Sequence, residues 1–84
     1  MFYTYILQST KNRFIYVGST KNVEKRLVFH NSGKVKSTKA YRPWILLESH
    51  KFKTRSEAFK HELFLKTGQQ KEKLKIKFGI VAKW

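Results

Sequence analysis

Residues 2–7 alternate Phe2, Thr4 and Ile6 against Tyr3, Tyr5 and Leu7, and both sets are largely apolar or aromatic. That pattern predicts a strand covered on two sides. Ser9 to Asn12 reads as a turn, with Lys11-Asn12 at its tip. Residues 13–18 form a second strand that ends on Gly18, where the missing Cβ permits a positive φ or the close approach of another group. Ser19, Thr20 or Asn22 can cap the helix that follows over residues 22–31. In it, Val23 and Leu27 stand at i,i+4 and face the core, while Arg26 and His30, at the same spacing, lie one above the other on the edge of that stripe. Asn31-Ser32-Gly33 stops the helix.

A polar basic loop follows, Lys34-Val35-Lys36-Ser37-Thr38-Lys39. It is either a solvated linker or a phosphate-contacting loop of lysines and hydroxyls. Pro43 suits a strand start, and a third strand is expected from Trp44 to about Lys51, apolar on both faces at first. Thr54 or Ser56 caps a second helix with Glu57 in its first turn, running to about Thr67 and stopping at Gly68. Its apolar face is read as Ala58, Phe59, Leu63 and Leu65, and Glu62 falls among them. A carboxylate there costs free energy unless it is paired or binds a cation. Two readings stand open: a salt bridge to Arg26, Arg55 or Lys66, or a metal ligand. Residues 69–78 fit a short helix with Leu74 and Phe78 on one face, yet Leu74, Ile76, Phe78 and Ile80 alternate as a strand would. The whole predicts one α+β domain over residues 1–78, a small three-stranded antiparallel sheet flanked by helices, with 79–84 as a tail.

Composition narrows the partner. With 40% hydrophobic and 15% aromatic residues, the 84-residue chain has the means to fold as a single domain. It has no cysteine, which excludes disulfides and thiolate metal sites. No apolar run approaches the ~20 residues of a membrane span. The sequence opens directly on a strand pattern, so no signal peptide and a cytoplasmic location are expected. Nineteen Lys and Arg face five acidic residues, for a formal net charge of +14. A small domain so charged meets a polyanion, most commonly nucleic acid, through counterion release. Mutual repulsion predicts a monomer. Charge separates neither a binder from an enzyme nor DNA from RNA.

The ordered set Tyr5, Tyr16-Val17-Gly18-Ser19-Thr20, Glu24-Lys25-Arg26, His30 and Glu62 resembles the GIY-YIG nuclease superfamily, particularly its small single-domain bacterial members. Asn31-Ser32-Gly33-Lys34, Arg42-Pro43-Trp44 and Ser56-Glu57-Ala58 strengthen the likeness, which spans residues 2 to about 75. The first motif is degenerate here, Tyr3-Thr4-Tyr5.

The resemblance implies a divalent-metal-dependent endonuclease hydrolysing phosphodiester bonds in DNA, in repair or recombination. It implies Mg²⁺ or Mn²⁺ on Glu62, since one carboxylate with waters and phosphate oxygens suits Mg²⁺. It implies Arg26 on the scissile phosphate, and Tyr5 and Tyr16 near the nucleophilic water, with Tyr5 the favoured general base and Tyr16 orienting water or phosphate. His30 would organise the water and the tyrosines. Lys34, Lys36, Lys39 and Arg42 are the candidate backbone contacts. Tyr3 is expected in the core, and His50 and His61 on the surface without partners. Larger family nucleases carry a further asparagine near the end of the domain, whereas no asparagine follows Asn31 here. The rival function is a non-catalytic, basic nucleic-acid-binding module on the same fold.

Overall fold

The computed structural model describes residues 1–78. Strand β1 (Phe2–Ser9) is the middle of a three-stranded antiparallel sheet, flanked by β2 (Ile15–Thr20) and β3 (Trp44–Phe52) in the order β2-β1-β3. Helix α1 (Val23–Asn31) connects β2 to the loop before β3, and α2 (Arg55–Leu65) and α3 (Gly68–Phe78) follow β3. This is the expected α+β arrangement.

The pleat of β1 divides the core in two. Ile6, with Ile15 and Val17 of β2, packs against Leu65 and Leu74 of the last two helices, joined by Leu47 and Phe78. On the opposite face, Tyr5, Leu7 and Trp44 form a second cluster, covered by Tyr16, Val23, Leu27 and Tyr41. A central strand can be apolar on both sides because each side has its own cover.

Local signals account for the boundaries. Ser9 Oγ accepts from the backbone N–H groups of Lys11 and Asn12, and the turn closes through Arg13 at φ 65°. Asn22 caps α1 by accepting from Lys25 N–H. Thr54 and Glu57 form a reciprocal capping box at the start of α2. Asn31 fastens the end of α1 to β3: its Oδ1 accepts from Trp44 N–H and its side-chain amide donates to the Trp44 carbonyl.

Four expectations are corrected, and one open choice is decided. Strand β2 does not end at Gly18 but continues to Thr20, because Gly18 is paired with Tyr5 across the sheet. Helix α2 ends at Leu65 with Lys66 as its cap, and Gly68 opens α3 instead of stopping a helix. Of the two readings of residues 69–78, the helix holds: Leu74 is buried and Phe78 half-buried one turn on, while Ile76 points outward, 82% exposed. Ile80 and the tail 79–84 lie outside the described residues. On α2, Phe59 and Leu63 are half exposed, and the buried apolar residues are Ala58 and Leu65. At the start of β3 both Ile45 and Leu46 are exposed; a register irregularity, which pairs Ile6 with Glu48 but Leu7 with Leu46, leaves Leu47 as the residue that packs inward.

Candidate active site

The site is assembled on the α1 side of the sheet, where β1 presents Tyr5, β2 presents Tyr16 and α1 presents Arg26 and His30. Tyr5 is 1% exposed and His30 fully buried. A line of hydrogen bonds joins them. Arg26 Nε donates to Tyr5 Oη at 3.3 Å, Tyr5 Oη lies 3.1 Å from His30 Nε2, and His30 Nδ1 lies 2.9 Å from Thr38 Oγ1. Thr38 Oγ1 donates in turn to the Val35 carbonyl at 3.4 Å.

The two ends set the direction of the line. A guanidinium N–H can only donate and a carbonyl can only accept. With Arg26 donating at one end and Thr38 donating to Val35 at the other, each middle group gives one proton and accepts one. Tyr5 donates to His30 Nε2, and His30, neutral, donates from Nδ1 to Thr38. Electrostatics agree. Burial pushes the Tyr5 phenol up to about 12 despite the hydrogen bond from Arg26. Burial, with Arg26 nearby, brings the His30 imidazole down to about 4. Both groups are therefore neutral at pH 7.

Tyr16 is placed differently. Its ring packs 4.9 Å from that of His30 and 6.3 Å from that of Tyr5. It is half-buried, and among the described residues its hydroxyl has no hydrogen-bond partner. The Arg26 guanidinium lies over Phe29 at 5.1 Å and has no carboxylate partner among the described residues.

Glu62 comes from α2. It is half-buried and accepts from Lys66 Nζ at 2.7 Å, one turn on, so Lys66 is the partner among the three cations considered. Its negative charge nevertheless acts on the Tyr5 phenol, opposing ionisation there. Among the described residues no group of three or more His, Cys, Asp or Glu side chains converges on one point. A site built on Glu62 alone needs water and substrate oxygens to complete it, which fits Mg²⁺ and not a caged ion.

Lys34, Lys36, Lys39 and Arg42 are exposed around the loop between α1 and β3, which includes a 3-10 turn at Lys39–Tyr41. Arg42 folds back over Gly33, whose φ of 82° and lack of Cβ make room for the guanidinium.

Two features were not anticipated. Thr38, read only as one hydroxyl in a basic loop, is 1% exposed, anchors His30 and receives Trp44 Nε1 on its carbonyl at 2.9 Å. A Thr eight residues beyond a His has no sequence signature. His50 and His61 are not free surface residues. His61 Nδ1 lies 2.8 Å from the buried Thr4 hydroxyl, and its ring packs 4.9 Å from that of His50, which bonds Glu48 at 3.1 Å. Thr4, on a strand face otherwise turned to the core, was the available sign that something polar would have to meet it.

The sequence matches the family described as the GIY-YIG catalytic domain over residues 1–75. The chain belongs to the GIY-YIG family. It is 41% identical over 75 residues to the UPF0213 protein SH2523 of Staphylococcus haemolyticus, covering 88% of this chain and 90% of that one. It is 43% identical over 72 residues to the UPF0213 protein YsiG of Lactococcus lactis, covering 77% and 68%. The solution NMR structure of the UPF0213 protein BH0048 from Bacillus halodurans superposes with a TM-score of 0.52 at 33% identity, covering 94% of this chain and 88% of that one. As a GIY-YIG domain, the chain sits in a nuclease family.

Proposed function

We propose that this GIY-YIG domain is a divalent-metal-dependent endonuclease acting on DNA. The observation that carries the reading is the buried line Arg26–Tyr5–His30–Thr38, with Tyr16 and the rest of the Arg26 guanidinium left uncommitted beside it. A fully satisfied polar line inside a small core is costly to assemble and fixes its members' orientation. Here the oriented member is an arginine suited to a phosphate in forked geometry.

Tyr16 keeps the role the resemblance implies, and Tyr5 takes a different one. Tyr5 holds its proton and spends it on His30, so it is a positioning residue. Tyr16, with an unengaged hydroxyl, orients the attacking water. His30 holds Tyr5, and Tyr5 holds Arg26 against the scissile phosphate. Mg²⁺ or Mn²⁺ would be held by Glu62 and would stabilise charge developing on the phosphate and leaving oxygen. Lys34, Lys36, Lys39 and Arg42 contact the flanking backbone.

The Glu62–Lys66 bond favours the second reading, a binding module without chemistry, because it satisfies the carboxylate with no metal. Cleavage of labelled duplex, branched and single-stranded DNA by wild type and Glu62→Ala, with Mg²⁺, Mn²⁺ or chelator, decides between them. The nuclease reading expects metal-dependent cleavage lost in Glu62→Ala with binding retained. Binding without cleavage on every substrate would establish the module.

A further inference from the structure

A groove of about 400 Å³ opens between the end of β2 and the start of α2. Phe2 forms part of its wall, and two cations share that one ring: Lys21 Nζ lies 5.7 Å and Arg55 Cζ 5.4 Å from the centroid. Neither cation has a carboxylate partner among the described residues. Two like charges held by one ring repel each other, and an anion shared by them relieves that repulsion. Ser19 and Thr20 line the same groove. So does Phe59, which is 50% exposed although it sits mid-helix. The volume lies within the range of small-ligand clefts, roughly 300–1,000 Å³.

The groove also points toward the candidate site. Arg55, Phe59 and Glu62 stand at i, i+4 and i+7, on one face of α2. At ~1.5 Å rise per residue, Glu62 is about 10 Å along the helix from Arg55, a few nucleotides of strand at ~3.4 Å each.

We infer that this groove binds one nucleotide of the substrate strand flanking the cleavage position, its phosphate between Lys21 and Arg55 and its base stacked on Phe59. A base within a duplex is already stacked and paired, so the nucleotide received here is unpaired. The inference rests on the nuclease reading for its place beside the scissile bond, and it specifies the substrate as nucleic acid with an unpaired nucleotide near that bond.

The test is binding in chelator, where cleavage is off, of a labelled single strand and the blunt duplex of the same sequence. Phe59→Leu should weaken single-strand binding about ten-fold, as expected for one lost stacking partner, and leave duplex binding unchanged. Phe59→Trp should match or exceed wild type on the single strand. Lys21→Gln with Arg55→Gln should reduce the slope of log affinity against log salt by about 0.7, the loss of one neutralised phosphate on a single strand. An unchanged single-strand affinity in Phe59→Leu, an equal loss on both forms, or an unchanged salt slope overturns the inference. Circular dichroism of each variant guards against unfolding. The outcome is separable from the nuclease reading: wild type that cleaves while Phe59→Leu binds normally removes only the groove, and wild type that shows the stacking signature but never cleaves removes only the nuclease.

Discussion

The phenol of Tyr5 occupies the space a side chain at residue 18 would need: a Cβ on Gly18 would lie 2.5 Å from Tyr5 Oη and 2.6 Å from Cζ. The two residues face each other across β1 and β2. Gly18 is thus required by what crosses it and not by its own backbone angles. Gly18→Ala should push Tyr5 off Arg26 and His30, with an overpacking cost of about 1–3 kcal/mol. Thermal melts should show the loss, and cleavage should fall further than the stability change alone explains.

Thr38→Val keeps the shape of the residue and removes the acceptor for His30 Nδ1. The buried imidazole N–H is then unsatisfied, at a cost of about 1–3 kcal/mol. Turnover should drop about ten-fold, the equivalent of ~1.4 kcal/mol of lost positioning, with little change in DNA binding. Thr38→Ser should recover most of it. Steady-state kinetics on the three proteins checks the order wild type, Thr38→Ser, Thr38→Val.

His30 makes stability fall in acid. Its pKa is about 4 in the folded protein against an ordinary 6.5, so the unfolded chain takes up the proton first. Stability from this group is full above about pH 6.5 and declines as pH falls toward about 4, by up to ~3 kcal/mol at ~1.4 kcal/mol per unit. His30→Gln should be less stable at pH 7 and show a flatter stability profile between pH 6.5 and 4. His61, also held low by burial and by His50, acts in the same direction and remains in the variant as a background. Denaturant melts across that window give the comparison.

Lys66 competes with any cation for Glu62. Lys66→Met should therefore lower the Mg²⁺ concentration for half-maximal cleavage several-fold, while Glu62→Gln should abolish cleavage at any Mg²⁺ concentration. A metal titration of initial rate distinguishes the two. An unchanged metal requirement in Lys66→Met would mean that Lys66 does not compete with the metal for Glu62.

Much of this was legible in the chain because the signals were local. The alternation in residues 2–7 marked a strand covered on both faces. Asn22, Thr54 and Glu57 announced their helices, and Arg26 and His30 could be stacked from their spacing alone. The parts that stayed open or misled were those where one pattern serves two structures. Leu74, Ile76 and Phe78 alternate in sequence, yet in a helix Leu74 and Phe78 return to one face while Ile76 leaves it. Gly68 reads as a stop because glycine so often ends helices, but a second helix starts there. Phe59 and Leu63 read as core because they are apolar, while α2 turns Ala58, His61 and Leu65 inward. Thr38 was invisible for a different reason: its importance lies in a long-range meeting with His30 and Trp44 that no spacing encodes.

The loop that carries Lys34, Lys36 and Lys39 is the same loop that holds Thr38 against His30. On the nuclease reading, grip on the polyanion and alignment of the chemistry are consequently written into one stretch of backbone. Grafting residues 33–39 from a relative to alter what is gripped would also retune the histidine, unless the donor brings its own hydroxyl at position 38. Evolution of new specificity in so small a domain is then steered away from this loop and toward surfaces, such as the outer side of α2, that can change without disturbing the hydrogen-bonded line.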